Sequence, residues 1–331
     1  MLQTTLEKIE GKLPKRLRYL TGSPRYVGKW LRPDTRFFVE SYYRAMCALH
    51  PREFEERRRL ANSLAAEVAE PIDPDRGYLS QDLGHLPEIQ AALARCDALR
   101  ASPQFMKEVN KSKKSKFLGA FEFSLADPED QAIFALACHP AILGPIAQYL
   151  GTVPVLHRAA LSYSPNKVMV GQSQRYHFDV EDLRQIKCFV FPEEITLESG
   201  PLTVIPAKDS QAIYKALWRN GQKRGLGSPL DDETVYGATA VNSGVPMCGR
   251  RGQVLYVDTC NCYHFGSRPA KRERCVLYFH FASAYSIEMP TWARRARDPV
   301  GQSKDVDRAA WVRELVFSLY DSHFARRERK A

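Results

Sequence analysis

No stretch of this sequence approaches the roughly 20 consecutive apolar residues of a membrane-spanning helix. The opening segment, MLQTTLEKIEGKLPKRLRYL, lacks the apolar core of about 7–15 residues that marks a secretory signal. The expectation is a protein with no transmembrane segment, working in the cytoplasm. The cysteines, at 47, 96, 138, 188, 248, 260, 262 and 275, include no CxxC pair. Cys260 and Cys262 form a CxC, but no second Cys/His pair accompanies it, so a structural zinc site is not expected. Several cysteines lie in apolar strings such as CFVF and CVLYF, as buried reduced thiols do, which suits a reducing compartment. Internal repeats and low-complexity tracts are also missing. With 44% hydrophobic and 26% charged residues in 331, the composition is globular and excludes collagen-like or wholly disordered chains.

Charge of one sign is scarce in the middle. The net charge is +10, but residues 1–50 carry ten basic and four acidic side chains, and residues 291–331 carry ten and six. The central residues are therefore neutral, whereas an enzyme working on nucleic acid concentrates positive field around its cleft. A nucleic-acid substrate is unlikely on this ground and a small molecule is favoured. The basic ends read as solvated surface.

The first half reads as helices. Asp34 or Thr35 can cap a segment with Phe37, Phe38, Tyr42, Tyr43 and Met46 at helical spacing, Pro51 and Pro87 open two more, and Asp127–Pro128 is an N-cap with proline at the first helical position. AILGPIAQYL forms a further helix that stops at Gly151, and NKSKKSKFLG (110–119) reads as an exposed, mobile loop. The second half changes to short β-rich runs, VPVLHRAALSYS, QIKCFVFP, PLTVIPA, GQVLYVDT and RCVLYFHFAS, separated by Gly, Pro and Asn. Serial strands of this kind indicate a sandwich or barrel. The 222–252 interruption is too long for an ordinary connection and reads as a lid, and the tail DVDRAAWVRELVFSLYDSHF reads as a final helix. The division expected is 1–150 as a helical N-terminal region packed on a β core, 151–285 as that core, and 286–331 as a C-terminal helical extension.

Of eight histidines, only His177 is followed two residues later by an acid, in RYHFD. Chance alone gives about 0.4 such matches at ordinary aspartate abundance, so the motif means little by itself. Its context adds weight. His264 lies just beyond the strand GQVLYVDT, and Arg274 opens the strand RCVLYFHFAS. His177, Asp179 and His264 together make a 2-His-1-carboxylate set, which suits Fe(II) because it leaves coordination positions open. An arginine at the far end of such a pocket can hold a carboxylate bidentately.

With these residues in order, the sequence resembles the phytanoyl-CoA dioxygenase family of Fe(II)/2-oxoglutarate-dependent oxygenases. The resemblance covers roughly 140–283: LGPIAQYLG before the first core strand, RYHFD, ESGPLTVIPAKDS, GRRGQVLYVDTCNCYHFGSR and RERCVLYFHFAS. One departure is Ala207-Lys208-Asp209-Ser210, where the family often has Gly-Ser-His after the GPL strand. The resemblance implies a mainly β fold with flanking helices, a double-stranded β-helix (jelly-roll, cupin-like) barrel behind a helical N-terminal half. It also implies iron held by His177, Asp179 and His264, with 2-oxoglutarate and O2 as cosubstrates and Arg274 on the distal carboxylate of 2-oxoglutarate. Arg268 and Arg272 compete for that last role.

Strand phase adds further candidates. Lys187, Phe189 and Phe191 share one face of QIKCFVFP, and Val276 and Tyr278 share the face of Arg274, with Cys275, Leu277 and Phe279 on the other. Phe189 and, if its face is inward, Lys187 would meet the cosubstrate, as would Ser162 and Tyr163. Gln172 and Gln174 are candidates for the substrate mouth, and Phe178, with Phe189 and Phe191, for a partly apolar substrate pocket or for core packing; His157 and His280 read as core or rim histidines. The implied reaction is hydroxylation, desaturation or ring closure of a small molecule with release of succinate and CO2, since Asp179 stands where halogenating relatives carry a small residue. A nucleic-acid-modifying oxygenase and a non-catalytic ligand-binding barrel of the same fold are the alternatives.

Overall fold

The computed structural model describes residues 35–111, 118–166, 171–222, 227–241, 244–268, 270–286 and 307–320. The basic N-terminal segment to residue 34, six residues of the expected 110–119 loop and much of the expected C-terminal extension lie outside the described residues. The helices α1 (Thr35–Leu49), α2 (Pro51–Ala65), α3 (Pro87–Ala101) and α4 (Pro103–Lys111) are followed by α5 (Gln131–Ala137) and α6 (Pro140–Leu150). Prolines open α2, α3, α4 and α6, where the missing N–H costs nothing. Asp127 caps the turn that leads into α5 by accepting from the Glu129 N–H at 2.9 Å. Gly151 ends α6 in the left-handed conformation, with φ 67°.

Two strands interrupt the expected helical half: β1 (Tyr78–Asp82) and β2 (Gly119–Glu122). Both are too short and too weakly alternating to stand out from a single sequence. They become the edges of a six-stranded antiparallel sheet of order β1-β7-β4-β9-β3-β2, whose other members are β3 (Val155–Ser164), β4 (Gln185–Val190), β7 (Gln253–Asp258) and β9 (Arg274–Ala282). A smaller sheet of order β6-β5-β8 is built from β5 (Thr203–Val204), β6 (Val245–Pro246) and β8 (His264–Phe265). The sheets are joined by loops and, among the described residues, do not close into a ring.

Side-chain alternation divides the large sheet into two faces. Cys275, Leu277, Phe279 and Phe281 of β9 and Ile186, Cys188 and Val190 of β4 pack on the helices, against Leu93 of α3, Phe134 of α5, Ile142 of α6 and Leu315 of α9 (Arg308–Phe317). Each fully buried Leu, Ile or Phe contributes about 1.5–3 kcal/mol, so this layer dominates the stability. The opposite face turns toward the small sheet. In β3 the pairing slips between Leu156 and Arg158, leaving His157 as the extra residue of a bulge. The slip reverses phase: Leu156 packs with the helix-side core, and Arg158, Ser162 and Ser164 face inward.

The 222–252 interruption is partly structural. It contains α8 (Asp232–Tyr236) and β6, and Leu230 and Val235 pack with Tyr176 and Phe265 beneath the small sheet. Before it, the unexpected α7 (Ala207–Arg219) begins at the very residues where the sequence departs from the family pattern. Gly200 of the GPL turn has φ 60°, and a Cβ there would stand 2.6 Å from the Arg268 carbonyl oxygen, so the position requires glycine.

Candidate metal and cosubstrate site

A cavity of about 200 Å3 lies between the two sheets. His177 reaches it because the segment Arg175–Asp179 runs antiparallel to β8. His177 and His264 exchange both backbone hydrogen bonds, at 3.1 and 3.2 Å. Directly opposed residues point their side chains the same way, and the two imidazole centroids stand 4.4 Å apart. Asp179, two residues on, returns to the same side, and its N–H donates to the Thr259 carbonyl at 2.9 Å. One ligand atom from each of His177, Asp179 and His264 lies within 4.8 Å of the others.

The backbone also sets the tautomers. Nδ1 of His177 is 2.9 Å from the Arg175 carbonyl oxygen, and Nδ1 of His264 is 3.0 Å from that of Cys262. A carbonyl only accepts, so each Nδ1 carries the hydrogen and each Nε2 keeps its lone pair. Nε2 of His264 stands 3.7 Å from Oδ2 of Asp179. Two imidazole nitrogens and one carboxylate oxygen brought together, with both imidazoles lining the cavity, fit a divalent first-row metal with open positions.

The electrostatics follow from burial. Burial and the neighbouring His177 push His264 down to about 3, against the pull of Asp179. Burial alone would raise the Asp179 carboxyl; Lys187, then the two imidazoles, outweigh it and hold the group well below the usual carboxylate range. Lys187 is the reciprocal case: burial lowers it, and Asp179 more than restores the charge. Its ammonium donates to Asp179 Oδ2.

Arg274, 9% exposed, lines the cavity from the start of β9. Nη2 donates to Ser267 Oγ at 2.9 Å, while Nε has no hydrogen-bond partner among the described residues. Burial pushes the guanidinium down to about 10, so it remains a cation at neutral pH. A buried cation with an unused donor is costly unless a ligand supplies an acceptor. Arg268 is committed elsewhere: it pairs with Asp232 at 2.6 Å, donates to the Gln174 carbonyl and lies over Phe265. Arg272 is exposed beside Glu198. Of the three competing arginines, Arg274 is the one in the cavity.

The remaining candidates separate by strand phase. Lys187, Phe189, Phe191, Ser162, Val276 and Tyr278 all line the cavity. Tyr163 does not: it follows Ser162 on β3, faces the helices, and packs edge-on against Phe105 while its hydroxyl donates to Glu273. Phe178 is also corrected. It lies between the two triad residues on the opposite side, buried and stacked on Tyr263 at 3.8 Å. Gln174 is buried with its amide spent on Gly171 and Ser267. The side chain of Gln172 lies outside the described residues.

Several site residues escaped the sequence reading. Ser164 follows from the phase of Ser162. Arg158, four residues before Ser162, shares that phase and lines the cavity, salt-bridged to Glu122 and held over the Tyr278 ring. Ser267 and Met247 come from loops and carried no signal.

No family model matches the sequence, and no curated protein sequence matches it significantly. Solved structures do resemble it. EctD from S. alaskensis with 2-oxoglutarate and 5-hydroxyectoine is 17% identical over 66% of this chain and 86% of that one, with a TM-score of 0.47. SnoK, a non-heme alpha ketoglutarate dependent carbocyclase from nogalamycin biosynthesis, is 13% identical over 69% and 83%, at 0.42. HygX from Streptomyces hygroscopicus with nickel and 2-oxoglutarate bound is 12% identical over 63% and 84%, at 0.40. At these identities and TM-scores the functional reading rests on the site geometry.

Proposed function

We propose that this chain is an Fe(II)- and 2-oxoglutarate-dependent dioxygenase acting on a small molecule. The observation that carries the reading is the meeting of His177, Asp179 and His264, with both histidines lining the cavity that also holds a buried arginine whose Nε is unused. His177 Nε2, His264 Nε2 and an Asp179 carboxylate oxygen would hold the metal. When bound, iron and 2-oxoglutarate supply an oxidant made from O2, with 2-oxoglutarate leaving as succinate and CO2.

The chain's own residues bind and exclude water. Arg274 offers its guanidinium to the distal carboxylate of 2-oxoglutarate, with Ser267 and Ser164 beside it, their hydroxyls 2.7 Å apart. Phe189, stacked on Tyr278 with centroids 5.6 Å apart, gives the cosubstrate an apolar wall, and Ser162 lies on the same face as Ser164. Lys187 holds Asp179 ionised before the metal arrives and is placed to meet an anion afterwards. Leu118, Leu202 and Met247 add apolar wall beside the polar Arg158, Ser173 and Thr259, a mixed lining that favours a small organic substrate.

The strand orders β3-β9-β4-β7 and β6-β5-β8, with the His177 segment beside β8, support a double-stranded β-helix of the phytanoyl-CoA dioxygenase type. In this reading 151–285 is the oxygenase core, 1–150 packs on it and 286–331 extends it. No single described helix is long and apolar enough to cross a membrane, and every cysteine is a free thiol, so we place the protein in the cytoplasm. An intact Asp179 favours hydroxylation, desaturation or ring closure over halogenation. The test is succinate formation from 2-oxoglutarate with Fe(II), screened against metabolite pools. Stimulation by a small molecule supports the proposal, and turnover restricted to oligonucleotides contradicts it.

A further inference from the structure

The metal-site carboxylate is the end of a buried polar chain that runs away from the cavity. Gln185, fully buried, brings Nε2 within 3.2 Å of Asp179 Oδ2 and 2.8 Å of Thr259 Oγ1. Its Oε1 lies 2.9 Å from His280 Nε2. Nδ1 of His280 lies 3.0 Å from Nδ1 of His157, with the two rings nearly perpendicular at 88°. Leu156 packs on the helix side, so alternation turns His157 toward the face of His280, and the bulge makes His157 the extra residue there.

The chemistry of each atom orders the chain. Asp179 carries the Lys187 ammonium and is a carboxylate, which only accepts. Gln185 must therefore turn its amide nitrogen to Asp179 and its oxygen to His280. An acceptor facing His280 Nε2 requires a hydrogen on that nitrogen. Arg158 and Lys187, the register partners of His280 on its two sides, are paired with Glu122 and Asp179 and leave that nitrogen to Gln185. His280 Nδ1 then holds a lone pair, and the hydrogen between the two Nδ1 atoms comes from His157.

We propose that His157, His280 and Gln185 form a positioning relay that fixes the Asp179 carboxylate in its metal-holding orientation. The proposal rests on the metal reading above. Nε2 of Gln185 also stands 3.4 Å from Glu181 Oε2, and His280 holds the opposite end of the amide. Turned over, the amide would set its oxygen against the Asp179 carboxylate and displace it. His280 removes that alternative, and His157 fixes the tautomer of His280. Partners of this kind orient a ligand without touching the metal.

The experiment uses the full chain and Mn(II) as probe. Calorimetric affinity is measured for wild type, His280→Met and His280→Gln, and the histidine 15N spectrum is recorded for the metal-free wild type. The relay predicts about tenfold weaker Mn(II) binding in His280→Met. His280→Gln should stay within about threefold of wild type, because its amide N–H can replace the lost donor to Gln185. A merely structural role would lower melting temperature in both variants without separating their affinities. The 15N spectrum should show hydrogen on Nε2 of His280 and on Nδ1 of His157. Equal affinity in His280→Met and wild type overturns the relay, as does an Nδ1–H tautomer at His280, which is readable even if the variants fold poorly. Wild-type protein that binds no Mn(II) overturns the metal reading itself and the relay with it, a failure distinct from the other two.

Discussion

Lys187 donates its ammonium to Oδ2 of Asp179, the same oxygen that stands 3.7 Å from Nε2 of His264. The candidate ligand Asp179 is thus paired with a buried cation as well as facing the imidazoles. This pairing explains how the acid can sit ionised where burial disfavours the charge.

Removing Asp179 alone should strand that cation. Asp179→Ala is expected to cost about 3–5 kcal/mol in urea denaturation, the usual penalty for breaking a buried pair. The double variant with Lys187→Met should recover most of it. If the single and double variants are equally stable, the pair is not the cause.

Arg274→Ala should raise the apparent KM for 2-oxoglutarate about 10- to 100-fold, the equivalent of one or two charge-assisted hydrogen bonds. Mn(II) affinity should stay within about threefold, because none of the triad touches the guanidinium. Unchanged 2-oxoglutarate affinity would move the role to Lys187.

Asp182 gives a pH prediction. It accepts from the Ser283 and Leu183 N–H groups at 2.8 and 2.7 Å, yet burial pushes its carboxyl up to about 7. In the unfolded chain an aspartate releases its proton near about 3.9. Between the two values the native state holds a proton that the unfolded state has lost. The group's contribution to stability therefore falls as pH rises through that window and is a full penalty above it. The carboxyl 13C shift of Asp182 should titrate with a midpoint near 7, and a midpoint in the ordinary carboxylate range contradicts the account.

Gly200→Ala should destabilise the fold by about 1–3 kcal/mol. The added Cβ meets both the left-handed backbone and the Arg268 carbonyl. Thermal melting should show the loss, and an unchanged melting temperature would mean the turn can relax.

The central strands and the shared faces of β4 and β9 were legible in the sequence because alternation fixes phase: Lys187, Phe189 and Phe191 line the cavity together, as do Arg274, Val276 and Tyr278, although alternation alone left open whether Lys187 turned inward. The same logic excludes two other candidates: Tyr163 cannot share a face with Ser162, and Phe178, next to His177 in an extended segment, turns to the opposite side. Arg158 shares the phase of Ser162 and was passed over. The edge strands β1 and β2 and the chain from Asp179 to His157 depend on partners far away in sequence, so no local pattern announced them.

The central claim is that His177, Asp179 and His264 hold a metal that in turn takes 2-oxoglutarate beside Arg274. Anaerobic titration of 2-oxoglutarate into Fe(II)-loaded protein, followed by visible charge-transfer absorbance, tests it most directly. The account predicts a band that saturates at one 2-oxoglutarate per chain in wild type and is absent in His264→Ala. No band in correctly folded wild type, or an equal band in His264→Ala, would contradict it.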